Sequence, residues 1–218
     1  MRKLCPFLRR PPSHRASIVN RKEILEGLAY VHSKGFVHRD LKPGLFYLFV
    51  CFLAVAEPRP LSFVANLSFF PFWWVLIENI LVKNNELKLA DFGLARQMGQ
   101  RRPMTEYVST RWYRAPEVIL RAKDYGPAID LWAAGAIMVE LFNLSPAFPG
   151  ESEVDLLIRI IQILGTPTAT SWADADKLAK ELNLQFIQSK GKGVDTLVDD
   201  APKCVTFLSL SLSPLPPS

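Results

Sequence analysis

The sequence contains too few cysteines, too widely spaced, for a disulfide framework or a zinc site. Three cysteines, Cys5, Cys51 and Cys204, occur in its 218 residues. An odd number cannot pair completely, and no Cys-x-x-Cys or Cys/His ligand spacing is present. Such cysteine usage is typical of a reducing, intracellular compartment.

The N-terminus also lacks the uninterrupted apolar core of a secretory signal, because arginines and prolines break the stretch MRKLCPFLRRPPSHR. The net charge of +5 is modest, and its densest basic stretch is RRPPSHR. We interpret residues 1–17 as a basic, disordered leader; an arm that binds nucleic acid or anionic lipid is the alternative.

Residues 44–77 lack charge almost completely, since Glu57 and Arg59 are the only charged side chains among them. The run GLFYLFVCFLAVA is too short to span a bilayer, and LSFVANLSFFPFWWVLI only reaches the lower limit of length and contains Pro71. A membrane hairpin hinged at EPRP is one interpretation of this apolar insert, and the translation of an unspliced intron is the one we favour.

Elsewhere the apolar periodicity predicts a mostly helical domain. Residues 18–34 form an amphipathic pattern that stops at Gly35, and DLWAAGAIMVELF, which is apolar almost all round, predicts a central helix. A third helix is predicted between a Ser152 N-cap and Gly165. Shorter elements are predicted as follows: strands at NILV and LKLA around a KNNE turn, and helices at APEVIL and WADADKLAKEL.

Five short motifs follow one another along the chain: HRDLKP, ENILV, LADFGLAR, TEYVSTRWYRAPE and DLWAAGAIM. Each motif alone is a weak signal. In this order they resemble the C-terminal lobe of eukaryotic protein kinases, over residues 18–43 and 78–188. The resemblance implies an α+β fold, a mostly α-helical kinase C-lobe with short β-hairpins, interrupted by residues 44–77 and followed by a divergent low-complexity tail at 189–218.

The resemblance also implies a site for phosphoryl transfer from ATP with Mg²⁺. Asp40 stands where the family places the carboxylate that takes the proton of the substrate hydroxyl, and Lys42 stands where a cation neutralises the γ-phosphate. Asn79 and Asp91 match the family's two metal ligands, and magnesium prefers oxygen ligands of this kind.

Three arginines are expected to cluster near the activation segment, which is the polar segment between DFG and APE: Arg39, Arg111 and Arg114. Arginine binds phosphate in a bidentate manner, and the resemblance implies that Thr105 and Tyr107 of TEY are the phosphorylated acceptors. A set of surface ion pairs is the alternative interpretation of the same arginines.

Two acids, Glu117 and Asp130, complete the set that the resemblance implies. Glu117 of APE is expected to pair with a late arginine, for which the sequence offers no candidate. Asp130 is expected to bond backbone amides of the catalytic loop, which begins with HRDLKP.

The TEY and VSTRWYRAPE motifs resemble the group of cyclin-dependent and MAP kinases, and STRWYRAPEVILRAKDYGPAIDLWAAGAIMVELFNLSPAFPGESEVD with ILGTPTATSW resembles its male germ cell-associated, intestinal cell and MOK branch. This implies serine/threonine substrates followed by proline, an upstream activating kinase, and an intracellular location in cytoplasm, nucleus or cilium. Neither a nucleic-acid partner nor a membrane is expected.

The sequence departs from the family in three places. No GxGxxG or VAIK-like run precedes residue 18, so an N-lobe is expected to be absent and the chain itself inactive. The insert separates HRDLKP from Glu78, so Asn79 is expected to be displaced, at a closure cost of about 3 kcal/mol. The end of the C-lobe reads as truncated. A non-catalytic binding fragment or a membrane-associated protein therefore stays open as an alternative.

Overall fold

The computed structural model describes residues 14–43, 79–83, 86–99, 110–123, 125–143 and 145–198. Within these residues the helices are α1 His14–Ser33, α2 Pro116–Ile119, α3 Ala128–Asn143, α4 Glu153–Leu164 and α5 Ala175–Glu181. The strands are β1 Phe36–Val37, β2 Ile80–Lys83, β3 Glu86–Leu89 and β4 Arg96–Gln97. The apolar insert 44–77 lies outside the described residues.

Helix α1 confirms the first predicted helix, although it begins at His14, inside the predicted leader, rather than at residue 18. Its buried stripe includes Ile24 and Leu28, which are both fully buried and pack against α3 and β3. The chain leaves the helix at Gly35, whose φ of 77° is a conformation that glycine adopts without steric cost.

Helix α3 is the centre of the core, as its apolar sequence predicted. Ala134, Ile137 and Val139 are each completely buried, and Trp132 stacks on Phe148 with ring centroids 5.9 Å apart. A helix that is apolar on every side must be surrounded by other elements. It therefore supplies a fixed base for the loops that cross its N-terminal end.

The predicted hairpin is present as β2 and β3, which pair antiparallel from Ile80 opposite Leu89 to Lys83 opposite Glu86. A second antiparallel pair, β1 with β4, was not predicted from the sequence. It places Val37 opposite Arg96. Two-residue strands are too short to show an alternating pattern, so only the folded chain reveals this pairing.

Helix α4 has the caps that the sequence indicated. The Ser152 hydroxyl accepts a hydrogen bond from the Asp155 amide at 3.1 Å, and Gly165 ends the helix with φ 91°. Gly191 crosses Gly165 so closely that a Cβ atom on Gly191 would lie 2.5 Å from the Gly165 nitrogen.

The predicted boundary of the divergent tail at residue 189 is wrong. The amides of Lys192 and Gly193 donate to carbonyls of α4 at 3.0 and 2.9 Å, and Val198 is buried in the core. Residues 189–198 therefore belong to the folded domain, because they cover the C-terminal end of α4. Residues 199–218 lie outside the described residues.

Helices α2 and α5 confirm the two shorter helices that the sequence predicted, at APEVIL and WADADKLAKEL. Within the part of the chain that the structure describes, no helix combines the length and the apolar character needed to cross a membrane.

Candidate active site

The catalytic loop is anchored to the core by the buried carboxylate of Asp130, in the first turn of α3. Its Oδ2 accepts a hydrogen bond from the His38 amide at 2.8 Å, and its Oδ1 accepts one from the Arg39 amide at 2.8 Å. The His32 Nε2 atom also lies 2.8 Å from Oδ2. One side chain therefore satisfies two loop amides, which holds the backbone that leads into Asp40.

Asn79 provides a second anchor from the far side of the insert. Its Oδ1 accepts a hydrogen bond from the Lys42 amide at 2.9 Å, and its Nδ2 donates to the Asp40 carbonyl. The side chain is completely buried. The expectation that the insert displaces Asn79 is therefore wrong.

The hairpin explains how Asn79 returns to the loop. The Ala90 amide donates to the Asn79 carbonyl at 2.8 Å, which extends the β2–β3 pairing by one step beyond Ile80. Helix α1 packs on β3, so the hairpin is also supported by a helix that precedes the insert in the chain. The sheet register therefore places Asn79 at the end of the hairpin, next to the loop.

Asp40 and Lys42 form the centre of the loop. The Lys42 ammonium lies 3.3 Å from the Asp40 Oδ2 atom, and the two side chains are 15% and 20% exposed. A carboxylate that keeps this much exposure is accessible to a substrate, while the ammonium beside it can neutralise an incoming anion.

Asp91 follows β3 at the same end of the hairpin as Asn79. Its backbone is in the left-handed region with φ 57°, and its Oδ1 accepts a hydrogen bond from Gly93 at 3.3 Å. The preceding residue, Ala90, accepts a hydrogen bond from His38 Nε2 at 3.0 Å, and the Phe92 ring lies 5.0 Å from that imidazole. Both neighbours of Asp91 in the chain therefore contact His38, and these contacts place the exposed Asp91 carboxylate next to the catalytic loop.

A cavity beside Asp40 is lined by two of the three predicted arginines, Arg39 and Arg114, and Arg111 is not part of its lining. Its polar lining consists of Arg39, Asp40, Thr110, Tyr113, Arg114 and Asp130. The Nε atom of Arg39 is buried and has no hydrogen-bond partner among the described residues. The Arg39 side chain thus carries an unused donor inside a cavity, which is an arrangement that suits an anion.

Arg96, which was not among the predicted site residues, lies close enough to Arg39 for its charge to act on that side chain. Burial lowers the pKa of Arg39, the nearby Tyr125 raises it, the positive charge of Arg96 lowers it and Asp130 raises it. Arg96 comes close because β4 pairs with β1 directly before the catalytic loop. The sequence shows Arg96 three residues after DFG. The pairing of β4 with β1, which brings Arg96 near Arg39, cannot be predicted from the sequence.

Arg114 forms an ion pair with a neighbouring acid, which agrees with the alternative interpretation of this arginine as part of a set of surface ion pairs. Its guanidinium lies 2.8 Å from Glu153 at the start of α4, and the neighbouring Trp112 donates to the Gly150 carbonyl at 3.0 Å. These contacts fix the segment that precedes α2. In the turn of the same segment, the Arg111 carbonyl accepts a hydrogen bond from the Arg114 amide at 2.9 Å.

Two acids lie near this segment: Glu140 is buried and Glu117 is partly buried. Glu140 accepts a hydrogen bond from the Tyr113 hydroxyl at 2.6 Å; burial raises its pKa and the tyrosine lowers it. Burial also raises the pKa of Glu117, whose Oε2 atom has no hydrogen-bond partner among the described residues. Thr105 and Tyr107 lie outside the described residues.

The described residues contain no cluster of three or more His, Cys, Asp or Glu side chains that could hold a metal ion. Asn79 and Asp91 still fit magnesium, because that ion keeps several waters and binds through one or two protein oxygens together with phosphate oxygens. Asn79 Oδ1 accepts one hydrogen bond, which leaves it a second lone pair.

The protein kinase domain family matches residues 76–207, which is more than half of the chain. Cyclin-dependent kinase F-3 of Oryza sativa subsp. japonica is 42% identical over 179 residues, which cover 82% of this chain and 34% of that protein. Serine/threonine-protein kinase ICK of Mus musculus and MAK of Homo sapiens are each 42% identical over 180 residues, 82% of this chain and 23% of theirs.

The chain thus spans about a third or less of the length of these relatives. The predicted resemblance to the cyclin-dependent group and to its male germ cell-associated and intestinal cell branch is confirmed. Protein kinases of this family use ATP and Mg²⁺ and act on protein substrates. The helix-rich fold, the ordered motifs and the match over more than half of the sequence agree, and the chain belongs to the protein kinase family.

Proposed function

We propose that the protein functions as an ATP-dependent protein serine/threonine kinase. The observation that carries the proposal is the double hydrogen bond of Asn79 to the backbone of Asp40 and Lys42. Residues from both sides of the insert thereby form one site, with the composition that phosphoryl transfer requires. The relatives named as serine/threonine-protein kinases support the choice of substrate class.

In the proposed reaction Asp40 accepts the proton of a serine or threonine hydroxyl. The hydroxyl oxygen forms a bond to the γ-phosphorus of ATP while the bond from that phosphorus to the β–γ bridging oxygen breaks, so that ADP leaves with the bond electrons. Lys42, 3.3 Å from Asp40, offers positive charge to the transferred group.

Asn79 and Asp91 are the residues that would hold magnesium. The chemistry that a bound magnesium ion would supply here is neutralisation of phosphate charge. The contribution of the chain is to keep an amide oxygen and a carboxylate at the same end of the β2–β3 hairpin, which the bond from the Ala90 amide to the Asn79 carbonyl secures at 2.8 Å.

We further propose that an upstream kinase phosphorylates Thr105 and Tyr107, and that substrates carry proline after the acceptor. The buried Nε of Arg39, which has no hydrogen-bond partner in the described part of the chain, and the nearby charge of Arg96 support a receiving site for such a phosphate. An intracellular location, in cytoplasm, nucleus or cilium, rests on the family resemblance and on the unpaired cysteine count.

The direct test is Mg²⁺-dependent transfer from ATP to a Ser-Pro peptide. Because residues 1–17 contain no glycine-rich phosphate loop, the chain is assayed with the nucleotide-binding lobe of a matched relative joined before residue 18. We expect Asp40→Asn to reduce turnover by about 10²–10⁴-fold, as removal of a general base does. The matched control is Asp176→Asn, an exposed residue of α5.

Transfer by the Asp40→Asn variant at the rate of the unsubstituted protein would contradict the proposal. Absence of transfer from both proteins, with ATP bound by the added lobe, would favour a non-catalytic binding fragment instead.

A further inference from the structure

The aromatic ring of Tyr125 lies against the side chain of Arg39. The central guanidinium carbon is 5.6 Å from the ring centroid, which is within the range of a cation–π contact. Tyr125 comes from the loop between α2 and α3 and is itself partly buried against the core. It is therefore a firm surface on which a guanidinium can rest.

The backbone of Arg39 is fixed independently of this ring. Its φ is 75°, which is uncommon for a residue other than glycine, and its amide is held by Asp130 at 2.8 Å. The side chain then enters the cavity that Thr110 and Arg114 also line. With the backbone fixed, the ring contact helps to decide where the guanidinium points.

The group that contacts the Arg39 guanidinium decides which of its N–H donors can still bind an anion. A carboxylate partner would occupy N–H donors, whereas a ring attracts the positive charge through its face and leaves the donors in the guanidinium plane unused. The buried Nε of Arg39 has no partner among the described residues, in agreement with this arrangement. Tyr125 therefore orients the arginine without occupying the atoms that bind an anion.

We propose that Tyr125 is a positioning residue that holds the Arg39 guanidinium ready for a phosphate monoester in this cavity. The inference rests on the proposed function in one respect, namely that the phosphate is the one carried by the activation segment. Tyr125 is then an additional residue on which the affinity of this cavity for phosphate depends.

A purely structural role for Tyr125 would be packing, since its ring also contacts the core. The two roles can be separated by shape. Leucine at this position keeps an apolar side chain but has no π face, and phenylalanine keeps the π face but lacks the hydroxyl. Packing alone predicts that both variants bind phosphate as the unsubstituted chain does.

The experiment is a titration of the full 218-residue chain with inorganic phosphate at constant ionic strength, followed by the Nε–H resonance of Arg39. We expect Tyr125→Leu to raise the dissociation constant about five-fold and Tyr125→Phe to leave it within about two-fold. In an Arg39→Gln background, followed by the Thr110 amide, Tyr125→Leu is expected to have no further effect.

Equal affinity of the Tyr125→Leu variant and the unsubstituted chain would overturn the proposal, as would a loss in Tyr125→Phe equal to that in Tyr125→Leu. A resonance that does not respond to phosphate in the unsubstituted chain would overturn it too. If Tyr125→Leu does not unfold cooperatively in urea, Tyr125→Met takes its place. None of these readouts requires phosphoryl transfer, so failure here and failure of the kinase assay are separate results.

Discussion

The catalytic loop and the helical core beneath it are stabilised in different ways. In the core, completely buried apolar side chains such as Leu28, Ile137 and Leu156 contact one another from several elements. In the loop, two polar side chains, Asp130 and Asn79, hold most of the geometry through directional hydrogen bonds.

The difference shows why the site withstands a long insertion. Apolar contacts stabilise in proportion to the area they bury and are shared among many residues, whereas each polar anchor fixes particular atoms. As a result we expect that the chain between Pro43 and Asn79 can change length without moving Asp40. Loss of an anchor, in contrast, should affect the loop more than an equal loss of stability in the core.

Removal of the Asp130 anchor is expected to have the largest effect. Asp130→Asn replaces one acceptor oxygen by a donor that faces the His38 amide or the Arg39 amide. We expect the free energy of unfolding, measured in urea, to fall by about 3–5 kcal/mol, because a buried group is left facing an unmatched partner. Amide hydrogen exchange should show the greatest loss of protection at His38 and Arg39.

The matched comparison is Leu156→Ala in α4, which removes a fully buried side chain. Its expected cost is also large, about 2–5 kcal/mol. In this variant the His38 and Arg39 amides should lose protection only in step with the whole domain. If both variants expose the loop amides equally, the distinction between anchors and core is wrong.

Deletion of residues 44–77 is expected to act in the opposite direction. Joining Pro43 to Glu78 restores HRDLKPENILV and removes the entropy of closing the loop, which is worth about 3 kcal/mol. The Asn79 anchor should be unchanged, so the exchange rate of the Lys42 amide relative to global unfolding should stay the same. Solubility should rise, because the deleted residues are rich in aromatics.

A deletion variant that is less stable than the full chain would show that residues 44–77 contribute contacts of their own. The control is a deletion variant that also carries Asn79→Asp. If the Asn79 anchor acts independently of the insert, this second change should cost as much with the insert as without it.

The sequence predicted the helices better than the contacts between them. The helices that contain Leu28, Ile137 and Leu156 have patterns of apolar residues or capping residues that can be recognised locally. The approach of Arg96 to Arg39, in contrast, depends on a strand pair of two residues per strand. The return of Asn79 depends on the register of a hairpin packed on α1, and neither relation leaves a local pattern.

The same reasoning explains the tail. Its polar, glycine-containing sequence SKGKG has no helical or alternating period, so it was assigned to the divergent tail. In the structure it is held by backbone hydrogen bonds to α4 and by the close crossing of Gly165 and Gly191. Such contacts depend on the backbone more than on side-chain character, which is why the pattern of residue types does not show them.

Asn79→Asp is expected to have a moderate and local effect. The carboxylate keeps the oxygen that accepts the Lys42 amide but replaces the Nδ2 donor, so a negative charge faces the Asp40 carbonyl. We expect a loss of about 2 kcal/mol in urea unfolding, as for a buried group left without its partner. Asn183→Asp, at an exposed residue just beyond the C-terminal end of α5, is the control and should change stability by less than about 1 kcal/mol.

The smallest expected effect concerns Glu117, whose Oε2 atom has no hydrogen-bond partner within the described ranges, and it can be measured through its pH dependence. Burial raises the pKa of Glu117 above the value of about 4.3 in an unfolded chain. The folded state therefore binds this proton more strongly, so the contribution of Glu117 to stability is present below pH 4 and is lost as the pH rises through the raised pKa. Glu117→Gln removes the ionisation and should increase the free energy of unfolding by about 1 kcal/mol at pH 8, with no gain near pH 4.

Glu140→Gln is the comparison for this last prediction, because the Tyr113 hydroxyl donates to the Glu140 carboxylate at 2.6 Å and Glu117 Oε2 has no such partner among the described residues. The hydrogen bond offsets part of the burial cost of Glu140, so its substitution should gain less at pH 8 than that of Glu117. Urea unfolding of both variants between pH 4 and pH 8 measures the difference. A loss of stability in Glu117→Gln at pH 8 would instead show that a cation from a part of the chain outside the described residues pairs with Glu117. It would then be an anchor of the same kind as Asp130.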